Sequence, residues 1–197
     1  MRQYKHNGLR LRTNTKNTGM TIENCINIVN NFYYSRGLGL IQKQYTPFIP
    51  LRDNVGKVID VKVADKAISD YAGIYGKYAV AFEVKSCSSD KFNFHRLKQH
   101  QLDTLSRYTE LGHIAFLFLS FKEQDFYILP YPVISGLINK TSEQIVWKNI
   151  IQHVCKFKYI TKNDINDFFK IQIKSNRNSL SFLDYMAAVG RIYEIDF

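Results

Sequence analysis

Asp70 is followed, after a gap of hairpin length, by Glu83 and Lys85 in Phe82-Glu83-Val84-Lys85. Two acids can share a divalent cation, and a lysine beside them can neutralise charge on a phosphate. The pattern therefore points to metal-dependent phosphodiester chemistry. Gly76-Lys77 predicts a two-residue turn, with glycine at the first central position, where a type II′ hairpin needs positive φ. That turn sets Tyr75 against Tyr78 and Asp70 against Glu83, with Cβ atoms ~5 Å apart. Lys85 lies two residues beyond Glu83 and shares its face.

The rest of the hairpin agrees with this register. Tyr71, Gly73 and Tyr75 would face Tyr78, Val80 and Phe82 on an aromatic and β-branched side. Asp70, Ala72 and Ile74 would face Ala79, Ala81 and Glu83 on the other, a charged end above a floor of alanines. The alanines are expected to leave room for an ion and a backbone phosphate. Glu-x-Lys alone also describes an exposed strand pair worth little energy. The facing aspartate and the small floor are what distinguish a site.

These residues need elements to hold them. Ile22, Ile26, Val29 and Tyr33 predict a helix ended by Arg36-Gly37, and Leu38–Gln44 a strand halted by Pro47 and Pro50. Residues 51–57 read as turn-prone, and Ile59, Val61 and Val63 as an alternating solvated ribbon. After the hairpin, Phe94, Leu97, Gln101, Leu105 and Tyr108 have helical spacing. The apolar run His113–Ser120 suits a strand buried on both faces, with Phe126–Leu129 as its hairpin partner. Beyond Pro130 the pattern is helical (Ile145, Ile150, Val154, then Leu180, Leu183, Met186, Val189), with no candidate chemistry through residue 197. The expected class is α/β, a central mixed β-sheet flanked by helices.

Several other side chains have two readings. Gln101 lies on the apolar stripe of its helix, so its amide either bonds nearby backbone or aims its oxygen at a metal beside Asp70 and Glu83. Lys85 could stabilise charge on the phosphate or orient and deprotonate an attacking water. Hard oxygen donors without histidine or thiolate favour Mg²⁺ or Mn²⁺ over zinc. Glu23, in a first helical turn, is accounted for by the helix dipole. His95 and His100 read as surface or phosphate contacts. Tyr33-Tyr34 could stack on unpaired bases or belong to the core.

Composition narrows the class. The 197 residues are 45% hydrophobic and 14% aromatic, which fits a folded chain, and carry a net charge of +10. Arg2, Lys5, Arg10, Arg12 and Lys16 all precede the first acid, Glu23. They predict a flexible basic arm over residues 1–16 that binds nucleic-acid phosphates. Residues 17–197 are expected to form a single domain. Cys25, Cys87 and Cys155 form no C-x-x-C pair and argue against a zinc site or a disulfide framework. With no apolar h-region and no long apolar run, the expectation is a soluble, cytoplasmic protein.

The chain resembles the RecU family of Holliday junction resolvases, within the PD-(D/E)xK nuclease superfamily. The matching segments are Gly19–Glu23, Asn30–Tyr34, Lys43–Pro47, Asp70–Tyr75, Phe82–Lys85, His100-Gln101 and Ile114–Phe121, in order through residues 17–130. A weaker echo lies near Leu180–Tyr185. The resemblance implies a restriction-endonuclease-like core and a homodimer that nicks four-way DNA junctions symmetrically with Mg²⁺ or Mn²⁺. It implies Asp70, Glu83 and Gln101 as metal ligands and Lys85 as the transition-state stabiliser. Branch-migration or strand-exchange proteins are the partners such a setting suggests. A stalk-like insertion near 51–66 is implied but is short here. One departure concerns the metal: the family has Thr where this chain has Ile68, which offers no side-chain oxygen. A non-cleaving junction-binding protein on the same scaffold is the alternative that this departure leaves open.

Overall fold

The computed structural model describes residues 22–63, 67–139, 158–175 and 181–197. Helix α1 (Ile22–Ser35) leads into strand β1 (Gly39–Lys43) and a ribbon of β2 (Phe48–Arg52) and β3 (Val58–Val63). The hairpin β4 (Tyr71–Tyr75) and β5 (Tyr78–Cys87) follows, then β6 (Lys91–Asn93), a 3-10 turn (Phe94–Arg96) and helix α2 (Gln99–Glu110). Next come β7 (Ile114–Phe121), β8 (Asp125–Pro130) and helix α3 (Tyr131–Asn139). Short strands β9 (Tyr159–Thr161), β10 (Ile173–Ser175) and β11 (Ser181–Leu183) precede helix α4 (Tyr185–Tyr193).

The central sheet has five strands in the order β1-β4-β5-β7-β8. Only β5 and β7 run parallel within it, joined by the crossover that contains α2. The rest pair antiparallel. Its two faces bury different side chains because successive residues point to opposite sides. On one face an aromatic core stacks Tyr71 on Phe82 and Phe82 on Phe116, at 4.9 and 4.7 Å between centroids. Tyr185 of α4 packs edge-on or tilted against Phe82, Phe116 and Phe118, and α1 adds Tyr33. On the other face Leu105 of α2 is buried against Ala81 and Ala115. Among the described residues no helix is long and apolar enough to cross a membrane.

The expected mixed sheet with flanking helices is therefore present, and β7 is buried along its whole length. Two expectations need correction. Pro50 does not end a strand: β2 runs through it, paired with Val61. This is tolerated because a two-stranded ribbon leaves one edge of each strand without ladder bonds. The segment after Pro130 is not simply helical. Among the described residues, three short strands and two 3-10 turns lie between α3 and α4, in pieces too short for periodicity to reveal. Ile145, Ile150, Val154 and Leu180 lie outside the described residues.

Candidate active site

The β4–β5 register runs from Tyr75↔Tyr78 to Tyr71↔Phe82, the pairing expected from the Gly76-Lys77 turn. Gly76 has φ of 57°, a region that glycine enters without the steric cost a Cβ brings. One step past the last pair, Asp70 comes opposite Glu83. Here β4 has ended and β5 continues, so a backbone donor on β5 has lost its strand partner. The Asp70 carboxylate replaces it, accepting from the Val84 N–H at 2.8 Å. The Asp70 carbonyl in turn accepts from the Gln44 N–H at 2.9 Å, which ties the aspartate to the end of β1.

Lys85 Nζ stands 3.2 Å from Glu83 Oε2 and 4.0 Å from Asp70 Oδ2. Three environments meet within this small volume. The side chains of Glu83, Lys85 and Asp70 are 1%, 15% and 39% exposed, so the site opens at Asp70 and closes at Glu83. In the sheet Glu83 lies beside Leu117, an apolar neighbour. Burial, followed by the charge of Asp70, pushes the Glu83 carboxyl up to about 7, and Lys85 only partly offsets this.

Helix α2 delivers the fourth group. Gln101 Nε2 donates to Glu83 Oε2, the same oxygen that Lys85 approaches, while Gln101 Oε1 accepts from the Lys98 N–H at 3.0 Å. The amide oxygen thus bonds local backbone, and it is the nitrogen, not the oxygen, that reaches the acid pair. One of the three floor alanines has a packing role: Ala81 is buried under Leu105, where a small residue lets α2 approach closely, while Ala72 and Ala79 are half-buried. The open approach is over Asp70.

A second wall was not anticipated. The Glu23 carboxylate pairs with Lys43 Nζ on β1, and the Tyr71 hydroxyl donates to Asn27 Oδ1 at 3.0 Å. Burial and then the charges of Glu23 and Asp70 push the Tyr71 phenol up. The sequence signal was the i, i+4 spacing of Glu23 and Asn27, but only the sheet brings them to β1 and β4. His95 is exposed and His100 half-buried. Tyr33 is core, 1% exposed with its hydroxyl donating to Asp184, so it cannot stack on a base, whereas Tyr34 is exposed. Ile68 is 60% exposed. Arg2, Lys5, Arg10, Arg12 and Lys16 lie outside the described residues. Among the described residues no three His, Cys, Asp or Glu side chains come together so as to hold a metal ion. The donor set facing this volume is the two carboxylates of Asp70 and Glu83, hard ligands that could hold Mg²⁺ or Mn²⁺, and Gln101 could add its oxygen only with its amide turned over.

A sequence profile of RecU, Recombination protein U, matches residues 17–189 and so takes in every residue of this constellation. The chain belongs to the RecU family. A Holliday junction resolvase RecU from Mycoplasmopsis pulmonis is 32% identical over 139 residues, covering 70% of this chain and 85% of that one. Another from Streptococcus gordonii is 33% identical over 127 residues, covering 59% of this chain and 62% of the relative. Among solved structures, Archaeoglobus fulgidus Hjc, a Holliday junction resolvase, matches with a TM-score of 0.41 and 10% identity over 84% of this chain and 98% of that one.

Proposed function

We propose that the chain is a structure-specific endonuclease that resolves four-way DNA junctions. The observation that carries this reading is the meeting of Asp70, Glu83 and Lys85 at the end of one hairpin, in a chain that belongs to the RecU family. Asp70, Glu83 and Gln101 are the proposed ligands of Mg²⁺ or Mn²⁺, Gln101 by exchanging its Lys98 contact for one that turns the amide oxygen to the ion. The donor set fits such an ion: two facing carboxylates repel, and a cation between them removes both the repulsion and the cost of ionising buried Glu83. When bound, the metal would supply Lewis-acid activation at the phosphate.

The chain's own residues do the rest. Asp70, at the open rim, meets the phosphate side first. Lys85, within 4.0 Å of both acids, supplies positive charge where negative charge develops on the phosphodiester, or orients the attacking water. Gln101 holds Glu83 from behind. The basic arm, with Arg2, Lys5, Arg10, Arg12 and Lys16, adds phosphate contacts without sequence information. A homodimer acting in the cytoplasm, with branch-migration or strand-exchange proteins as partners, completes the reading.

The deciding experiment incubates the protein with a labelled four-way junction and with a matched linear duplex, each with and without Mg²⁺ or Mn²⁺. Paired symmetric nicks confined to the junction and dependent on metal are expected. One observation favours a second reading: Ile68 brings no side-chain oxygen to a position where the family has Thr. A junction that is bound tightly yet left intact under every metal condition would identify a non-cleaving accessory protein.

A further inference from the structure

Strand β5 runs past its antiparallel partner. From Glu83 to Cys87 it pairs only with β7 among the described residues, none of which forms a strand along its other edge. An unpaired edge next to a reacting centre is free to twist and to take up water. Alternation along the strand turns the backbone groups of Val84 and Ser86 toward this bare edge. One group of each is met by a side chain. Asp70 accepts from the Val84 N–H, and Arg96 Nη2 donates to the Ser86 carbonyl at 3.0 Å.

Arg96 makes two further contacts. Its Nη1 donates to Cys87 Sγ at 3.3 Å, and its guanidinium lies over the Phe92 ring at 5.5 Å from the centroid. Phe92 is fully buried and Arg96 is exposed, so the guanidinium lies on the outer side of the core ring while it reaches back to β5. The planar fork suits this task, since two donors reach two acceptors on consecutive residues of one strand. Lys85 is the residue between the two clasped positions.

We infer that Arg96 is a positioning residue: it replaces the missing strand at the end of β5 and so fixes the backbone that carries Glu83 and Lys85. Its proposed effect on the reaction rests on the endonuclease reading above. Misplacing a catalytic group by about 1 Å can cost on the order of a hundredfold in rate, so a loosened strand end should show in the chemical step.

The test uses the full chain carrying Arg96→Ala or Arg96→Lys, with Arg107→Ala as a control that removes an exposed charge from α2. Hydrogen exchange of the Lys85 and Cys87 amides is expected to quicken about tenfold in both Arg96 variants and not in the control. Single-turnover nicking with saturating protein should fall about ten- to a hundredfold, with junction affinity unchanged within about twofold. Methylguanidinium should restore part of the Arg96→Ala rate. Arg96→Lys keeps the aliphatic stem over Phe92 and provides the comparison if Arg96→Ala does not fold. Unchanged exchange at Lys85 and Cys87 overturns the inference. So does a loss of junction affinity large enough to account for the whole loss of nicking, which would make Arg96 a DNA contact. If the unaltered protein nicks nothing, the endonuclease reading falls, while the exchange rates still decide whether Arg96 holds the strand.

Discussion

Glu83 is held in a conflict that a proton, or a bound cation, would relieve. It is buried beside Leu117, faces Asp70, and draws relief from Lys85 and Gln101 through a single oxygen. In the metal-free protein its carboxyl titrates near 7 instead of 4.5, because burial and the Asp70 charge favour the protonated form. A folded-state pKa raised above the unfolded value gives stability that is complete below the unfolded pKa and is lost as pH rises through the folded one. The metal-free protein should therefore lose stability between about pH 4.5 and 7, on the order of 3 kcal/mol at about 1.36 kcal/mol per pK unit. Glu83→Gln should remove that slope in urea titrations at pH 5 and pH 8. Added Mg²⁺ or Mn²⁺ should raise Tm at pH 8 and have much less effect at pH 5, where a proton occupies the carboxylate. An equal rise at both values would detach the metal from Glu83. For the reaction, Asp70→Asn or Glu83→Gln should lower nicking by at least about a thousandfold while junction affinity changes by less than about threefold. Loss of binding and of the folded circular dichroism signal in the same variant would make the residue structural.

Helix α2 shows how far local sequence can carry the site. Asp70, Glu83 and Lys85 were legible because a hairpin is local: a turn glycine and a period of two fix which residues face each other. Gln101 was visible only as an odd polar residue on an apolar stripe. Its contact with Glu83 depends on Leu105 resting on Ala81 and Ala115, a packing between segments that sequence spacing does not encode. The same limit hid the Glu23–Lys43 pair and the strands between α3 and α4. It also hid the role of Ala81, which is small to admit a helix. Leu105→Ala should cost about 2–5 kcal/mol in chemical denaturation, as for other buried leucines, and should also slow nicking because Gln101 moves with the helix. A full stability loss with an unchanged nicking rate would separate α2 from the chemistry. Strand β4 has its own narrow tolerance. A Cβ on Gly73 would lie 2.0 Å from the Leu40 carbonyl oxygen and 2.6 Å from Ile41 Cα, both backbone atoms of β1 that no rotamer change can move. Gly73→Ala should therefore destabilise the protein by about 1–3 kcal/mol and quicken amide exchange first along β1.

At the scale of the molecule, charge and symmetry take over from individual contacts. The net charge of +10 includes five Lys and Arg side chains in residues 1–16. If that arm lies along DNA, deleting it should make the dependence of junction affinity on salt shallower, since fewer condensed counterions are released. An unchanged slope would show that the arm does not touch DNA. Assembly follows a separate argument. The β2–β3 ribbon exposes Phe48, Ile59, Val61 and Val63, with relative exposures of 61%, 64%, 56% and 47%. Apolar side chains displayed together on a ribbon mark a surface that another molecule covers. A four-way junction offers two equivalent phosphates related by a two-fold axis, and one active site cuts one strand at a time. A C₂ dimer presents two sites with matching symmetry, and its interface uses the same patch on both subunits. The expected outcome is a dimer in light scattering at micromolar concentration, with the ribbon and adjacent apolar residues in its interface. It should make paired nicks whose products a ligase seals. Replacing Ile59 and Val61 by charged residues should then yield a monomer that keeps its fold, because both are solvent-exposed in the isolated chain, and that nicks one strand at most. A protein that is monomeric without any substitution and cuts a single strand would point to a simpler nuclease.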